Sequence, residues 1–272
     1  MARKRRKRRD WDKVRGVLAG IFGLILIAGL GGATWYWTSK QPKLDEATGC
    51  PTTGPTAVHA ILIDRSDPIT PLQGQRIRQT VDRYVQAARI GERFELYIAN
   101  SDAVNVLTAV AGVCNPGRGD QANELYQNPR MIQRQFDEKF LNVLHQNLDN
   151  LLKASTADSS PILESIRAVG VAAFGNVEPG AIPLQLTIVS DMVQHSAANS
   201  HFRGETNFVE LSRKPAWRSL QANLKGAKVE VLYLLRADAK RNGVPIQNRG
   251  HETFWENAIK ADEGMLVAFD PL

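Results

Sequence analysis

Asp64 and Ser66 stand two residues apart where an apolar run ends, in the order Ile61-Leu62-Ile63-Asp64-Arg65-Ser66-Asp67-Pro68. A carboxylate and a hydroxyl on one short loop offer hard oxygen donors, which a Mg²⁺-class cation prefers. A hexacoordinate site is seldom built from one loop, and two further segments offer matching oxygens. Ser159-Ser160-Pro161 opens an apolar helical stretch, and Ser190-Asp191 closes a second apolar run, Leu184-Gln185-Leu186-Thr187-Ile188-Val189. The competing chemistry is structural, because acids and serines at strand ends also cap helices and close turns.

These oxygens act together only if the chain delivers them to one edge. The continuous apolar run 57–63 reads as a strand buried on both faces, and in open α/β sheets ligands sit where such strands end. Ser160 falls at the start of a helix over 162–174, with Pro161 at the first helical position. Apolar residues at Ile77, Val81, Tyr84, Val85 and Ala88 predict a helix over 71–90. Those at Ile132, Phe136, Phe140, Val143, Leu144, Leu148 and Leu151 predict another over 129–153. Strands are expected over 94–98, 229–235 and 266–269, with 105–114 as an antiparallel edge neighbour. Helices are expected over 217–224 and 252–260. Strands alternating with amphipathic helices define an α/β fold: a doubly wound, mostly parallel sheet flanked by helices.

Strand-Asp-x-Ser, then Ser-Pro at a helix start, then strand-Ser-Asp, in this order, resembles the von Willebrand factor A domain with its metal-ion-dependent adhesion site. The resemblance spans 56–272 and rests on order and context. It implies Asp64, Ser66, Ser160 and Asp191 as ligands of a Mg²⁺, which would keep one position open for a carboxylate of a protein partner. Asp67, Thr70 and His195 border these ligands and are assigned to partner contact. The chain departs from the Asp-x-Ser-x-Ser pattern at Pro68, which has no side-chain oxygen; Thr70 or Asp67 would then have to substitute.

The ends of the chain set where this domain works. Nine of the first fifteen residues are Lys or Arg, and 16–37 follows without a charged residue. The order reads as a basic cytoplasmic tail (1–15), one transmembrane helix (16–37), a linker (38–55) and an extracytoplasmic domain (56–272). Trp35, Tyr36 and Trp37 suit the far interface, and the basic cluster marks the cytoplasmic side of a bacterial inner membrane. A cleaved leader is the competing reading. The tail holds the basic excess: of 34 basic and 28 acidic residues, 24 and 26 fall from residue 41 onward. A polyanion-binding domain is therefore not expected, and no nucleic-acid partner. Small residues at Gly16 and Gly20, Ala19 and Gly23, and Ala28 and Gly32 offer helix faces for self-association.

Two cysteines, Cys50 and Cys114, in an oxidising compartment predict a disulfide, with two free thiols as the alternative. Closing a loop of about 65 residues contributes roughly 3 to 4 kcal/mol in the chain-entropy model. Motifs for a serine-hydrolase elbow, a phosphate-binding loop, a dinucleotide fingerprint and a zinc protease are absent. The expectation is a non-enzymatic, membrane-anchored protein-interaction module of a bacterial envelope assembly. A Mg²⁺-dependent envelope hydrolase using Asp64 and Asp191, and a scaffold whose metal site has decayed, are the alternatives.

Overall fold

A computed structural model describes residues 2–39, 44–45, 48–99, 109–122, 127–153 and 157–272; for 2–10, 12–13 and 37–39 only the backbone is described. The basic side chains before Arg15, the Trp37 ring, linker positions 40–43 and 46–47, and the stretch 105–108 therefore lie outside the described residues. The chain forms two units, 1–43 and 44–272. The first is one helix, α1 (Ala2–Ser39), in which Val14–Tyr36 is long and apolar enough to cross a membrane. Its 23 residues span about 34 Å at 1.5 Å per residue, matching a hydrocarbon core of roughly 30 Å.

In the second unit, β1 (Ala57–Asp64) is buried at every position and lies between two parallel partners, β2 (Glu92–Ala99) and β4 (Leu184–Ser190). The edge strand β3 (Ala111–Cys114) pairs antiparallel with β2. Beyond β4 lie β5 (Lys228–Tyr233) and β8 (Met265–Pro271), both parallel, giving the six-stranded order β3-β2-β1-β4-β5-β8. The sheet is thus mixed but mostly parallel, as expected. Chain direction across it reverses between β1 and β4, which is the topological switch point where such sheets hold ligands.

Alternation along β1 sorts the core into two layers. Ile61 and Ile63 face α2 (Pro71–Ala87), which contributes Ile77, Val81 and Val85. The same layer takes α3 (Pro129–Phe136) and α4 (Asn142–Leu151), continuous through a π-helical turn at Asp137–Leu141, with Phe136, Phe140, Leu144 and Leu148. Val58, Ala60 and Leu62 face α5 (Ile162–Phe174) and α8 (Arg249–Ala261) through Ile166, Val169, Phe254 and Trp255. Helices on both faces make the sheet doubly wound.

Local chemistry moved several boundaries. The helix expected to reach residue 90 ends at Ala87 because Ala88 turns extended (φ −62°, ψ 138°). Of the edge strand expected over 105–114, the described residues form a strand at Ala111–Cys114. The helix expected over 217–224 is a four-residue α7 (Trp217–Leu220), since Gln221 leaves helical geometry. Pro161 is the residue before α5 rather than its first residue. Sequence periodicity missed the short α6 (Phe208–Arg213), capped by the Asn207 side chain. It also missed the hairpin of β6 (Lys240–Arg241) and β7 (Val244–Pro245). There the Asn-Gly signal was present: Asn242 and Gly243 both take positive φ (51° and 79°), the requirement of a tight hairpin turn.

Cys50 and Cys114 form a disulfide, so the segment before β1 is fastened to the edge strand. Backbone pairing reinforces it, with Cys114 N–H donating to Thr48 O at 2.9 Å.

Candidate functional site

The parallel register carries Asp64 and Ser190–Asp191 out of adjacent strands at the switch point. Asp64 is buried and accepts three hydrogen bonds. Its Oδ1 takes Ser66 N–H at 2.9 Å, and its Oδ2 takes the hydroxyls of Ser160 at 3.0 Å and Ser190 at 2.8 Å. Asp64, Ser66, Ser160 and Asp191 are all buried. The expected residues therefore do converge, although 96 positions separate Ser160 from Asp64.

Helix capping does not account for this cluster. Thr70, not Asp64, caps α2: its side chain accepts from Gln73 N–H at 3.3 Å, while Gln73 Oε1 accepts from Thr70 N–H at 3.1 Å. Nor does Ser160 cap α5. That role belongs to the fully buried Gln194, whose Oε1 accepts from Leu163 N–H at 3.0 Å. Ser160 is held instead by a backbone bridge to His195, with N–H to O distances of 2.9 and 2.8 Å, which leaves its hydroxyl directed to Asp64.

Asp191 closes the other side. Its Oδ1 accepts from Val193 N–H at 2.8 Å. Burial first, and the nearby Asp64 carboxylate second, push its carboxyl up to about 8. The following residue, Met192, is buried with a left-handed backbone (φ 59°), a strained state for a side chain of this size. Neighbours hold it there: Ser190 Oγ accepts from Met192 N–H at 2.7 Å, and Met192 O accepts from Trp255 Nε1–H at 2.8 Å and from His251 Nε2 at 2.9 Å. A carbonyl can only accept, so His251 carries its proton on Nε2, and Tyr233 donates to its Nδ1 at 2.8 Å.

Three residues that the sequence reading did not single out complete the site. Ser190, in the sequence simply the residue before an acid, donates to Asp64. Arg236, three positions beyond β5, sets Nε 3.9 Å from Asp191 Oδ2 and donates through Nη1 to Pro68 O at 2.6 Å. Gln247 joins them: its Oε1 accepts from Arg236 N–H at 2.7 Å, and its Nε2 donates to Asp191 O at 2.9 Å. A basic residue just past a third parallel strand was the available signal for Arg236.

Of the residues assigned to partner contact, Asp67 and Thr70 are exposed. His195 is half-buried, its Nδ1 2.8 Å from Ser200 Oγ and its ring edge-on to the exposed Phe202 at 5.4 Å. A cleft of about 550 Å³ opens at the opposite, amino-terminal edge of the sheet, beside His59, Tyr84 and Gln185, and takes no part in this cluster.

A divalent cation is the ligand the resemblance implies, and the folded residues do not fit one as they stand. Both Asp64 oxygens already accept protein donors, and residue 68 contributes only a carbonyl engaged by Arg236. A guanidinium stands at ion-pair distance from Asp191. A hydrated Mg²⁺ requires oxygen ligands in near-octahedral array without a competing cation. Among the described residues, no group of three or more His, Cys, Asp or Glu gathers as a metal cluster.

No model of a known protein family matches the chain, and no curated protein does. Solved structures similar in chain course include two from Bacteroides species. One is an aerotolerance-related membrane protein from Bacteroides fragilis, with 11% identity and a TM-score of 0.35, covering 79% of this chain and 92% of that one. The other is the conserved hypothetical protein BatB from Bacteroides thetaiotaomicron, with 14% identity and a TM-score of 0.37, covering 79% and 91%. The fold assignment rests on the strand order and pairing given above.

Proposed function

We propose that this chain is a membrane-anchored interaction module of a bacterial envelope assembly, recognising a protein partner through the carboxyl-terminal edge of its sheet. The observation that carries this reading is the convergence of Asp64, Ser160, Ser190 and Asp191 from separate segments at the switch point. The exposed Asp67 and Thr70 and the ring of Phe202 lie in the same loops. We read the site as binding rather than turning over a substrate, because Asp64 is occupied by three donors and so is poorly placed to take a proton from a reactant. The anchor would be the span Val14–Tyr36 in the inner membrane, its basic flank cytoplasmic and residues 44–272 outside. Disulfide formation favours the same side, since such bonds persist in oxidising compartments.

Site-specific photo-crosslinking in intact cells tests the reading. A photoreactive residue at position 67 or 202 should give a discrete adduct, and one at the exposed Lys228, at the other end of the sheet, should not. Equal adducts from all three positions would remove the recognition face. For topology, the half-buried Cys50 should react with an impermeant thiol reagent after reduction in intact cells; reaction only after permeabilisation would reverse the orientation.

A further inference from the structure

Two features that set this site apart meet at one side chain. Pro68 stands where the resemblance asks for a second loop serine, and its carbonyl accepts from Arg236 Nη1. Asp191 is, with Asp64, one of the site's two buried acids, and Arg236 Nε lies 3.9 Å from its Oδ2. The Arg236 side chain is only 13% exposed, so the guanidinium is itself largely out of water. A cation there is stable only beside compensating anions. Its buried Nε has no hydrogen-bond partner among the described residues, so it faces Asp191 without sharing a proton with it. Gln247 fixes the approach, holding the Arg236 N–H and the carbonyls of Asp191 and Leu234 with one amide. The scaffold that positions Asp191 thus also positions the positive charge facing it.

We propose that Arg236 is the resident cation of this site, facing Asp191 and balancing the charge of the Asp64–Asp191 pair in place of a divalent ion, which makes recognition at this edge independent of divalent metal. The inference rests on reading this edge as the recognition face. Without the guanidinium, the negative charge shared by the buried Asp64–Asp191 pair loses its counter-charge, and a cation from solvent relieves it. Asp191 Oδ2, which the guanidinium faces, is then uncovered to hold that cation, with the Asp64 carboxylate close enough to add its charge. Lysine at 236 keeps the charge but not the planar fork that reaches Pro68.

The test uses the full chain in detergent micelles. Mn²⁺ uptake is followed by electron paramagnetic resonance, and thermal stability is compared in Mg²⁺ and in chelator. Wild type and R236K should take up no Mn²⁺ at the site and should melt alike in both conditions. R236Q should take up Mn²⁺ and gain about 5 °C or more in saturating Mg²⁺, and the added substitution D64A should abolish both effects. Asp64-dependent Mn²⁺ uptake by wild type would overturn the proposal, as would a folded R236Q that ignores metal. If R236Q does not fold, wild type against D64A decides alone. Crosslinking from position 67 is then repeated with chelator. Unchanged adducts support Arg236 as the cation. Adducts lost on chelation overturn it while leaving the recognition face standing. No adduct in either condition overturns the recognition face, and the Mn²⁺ result still decides the role of Arg236.

Discussion

Asp64 is the residue on which the site is built, because one buried carboxylate satisfies a backbone N–H and two hydroxyls from three segments. Truncating it strands all three donors, each worth about 1–3 kcal/mol when left buried and unpaired. The loss is partly offset by removing the charge that faces Asp191. We expect Asp64→Ala to lower unfolding free energy by about 2–4 kcal/mol by chemical denaturation of the full chain. Asp64→Asn retains an acceptor and should lose less than half as much. A D64A variant as stable as wild type would mean that the three bonds do not hold the site together. Asp64 was legible in the sequence as an acid ending an apolar run. Ser66 and Ser160 were legible with it; Ser190, 126 positions from Asp64, was not, nor was Arg236, 168 positions from the Pro68 carbonyl it bonds.

The start of α5 shows how elements divide labour. Ser160 reads as an N-cap in the sequence, and in the fold that work belongs to Gln194, 31 residues downstream. Gln194→Ala should therefore fray the helix, with faster amide exchange at residues 162–165 and a loss of about 1 kcal/mol. Ser160→Ala should leave those amides protected and remove only the bond to Asp64. The opposite pattern of exchange would return the cap to Ser160. At the edge of the sheet, the disulfide joins Cys50 to β3 across 64 positions. Reduction, or the Cys50→Ser/Cys114→Ser pair, should lower stability by about 4 kcal/mol in the chain-entropy model. A change below 1 kcal/mol would show that the backbone pairing of Thr48 with Cys114 holds this segment unaided.

The whole molecule carries opposing sets of buried titrating groups. Burial lowers His59 to about 3 and His201 to about 2; it is also the first cause for His251, lowered to about 4. In each case the folded state binds fewer protons than the unfolded chain below pH 6.5, so stability falls as pH falls through that region. Asp191 and Asp262 are raised to about 8 and about 7, chiefly by burial. They bind more protons when folded, so stability falls as pH rises from the ordinary carboxylate range to those values. Among these five groups, three histidines against two acids leave the unfolded chain about one proton ahead between pH 4 and about 5.5, a slope of roughly 1.4 kcal/mol per pH unit favouring higher pH, which fades to zero near pH 6.5 and then reverses up to 8. Denaturation measured across this range should give a maximum near pH 6.5. Asp262→Asn, which keeps an acceptor for Ala222 N–H at 2.9 Å, should flatten the alkaline limb by about one proton up to pH 7. A stability that rises steadily to pH 8 would contradict this balance.

The sequence by itself determined the apolar periodicities, and with them the α/β class, the strand ends at Asp64 and Asp191, the helix of 162–174 and the membrane-length span. Those properties are local: side-chain partitioning between water and apolar surroundings repeats every two or 3.6 residues and can be read in a short window. The pairing of two lone cysteines was legible by count. Only the tertiary structure decided which hydroxyls reach Asp64, that Gln194 rather than Ser160 caps α5, and that a guanidinium from beyond β5 faces Asp191. Such partners are chosen by strand register and sheet order, which place residues more than a hundred positions apart within 3 Å, and no short window of sequence contains that geometry.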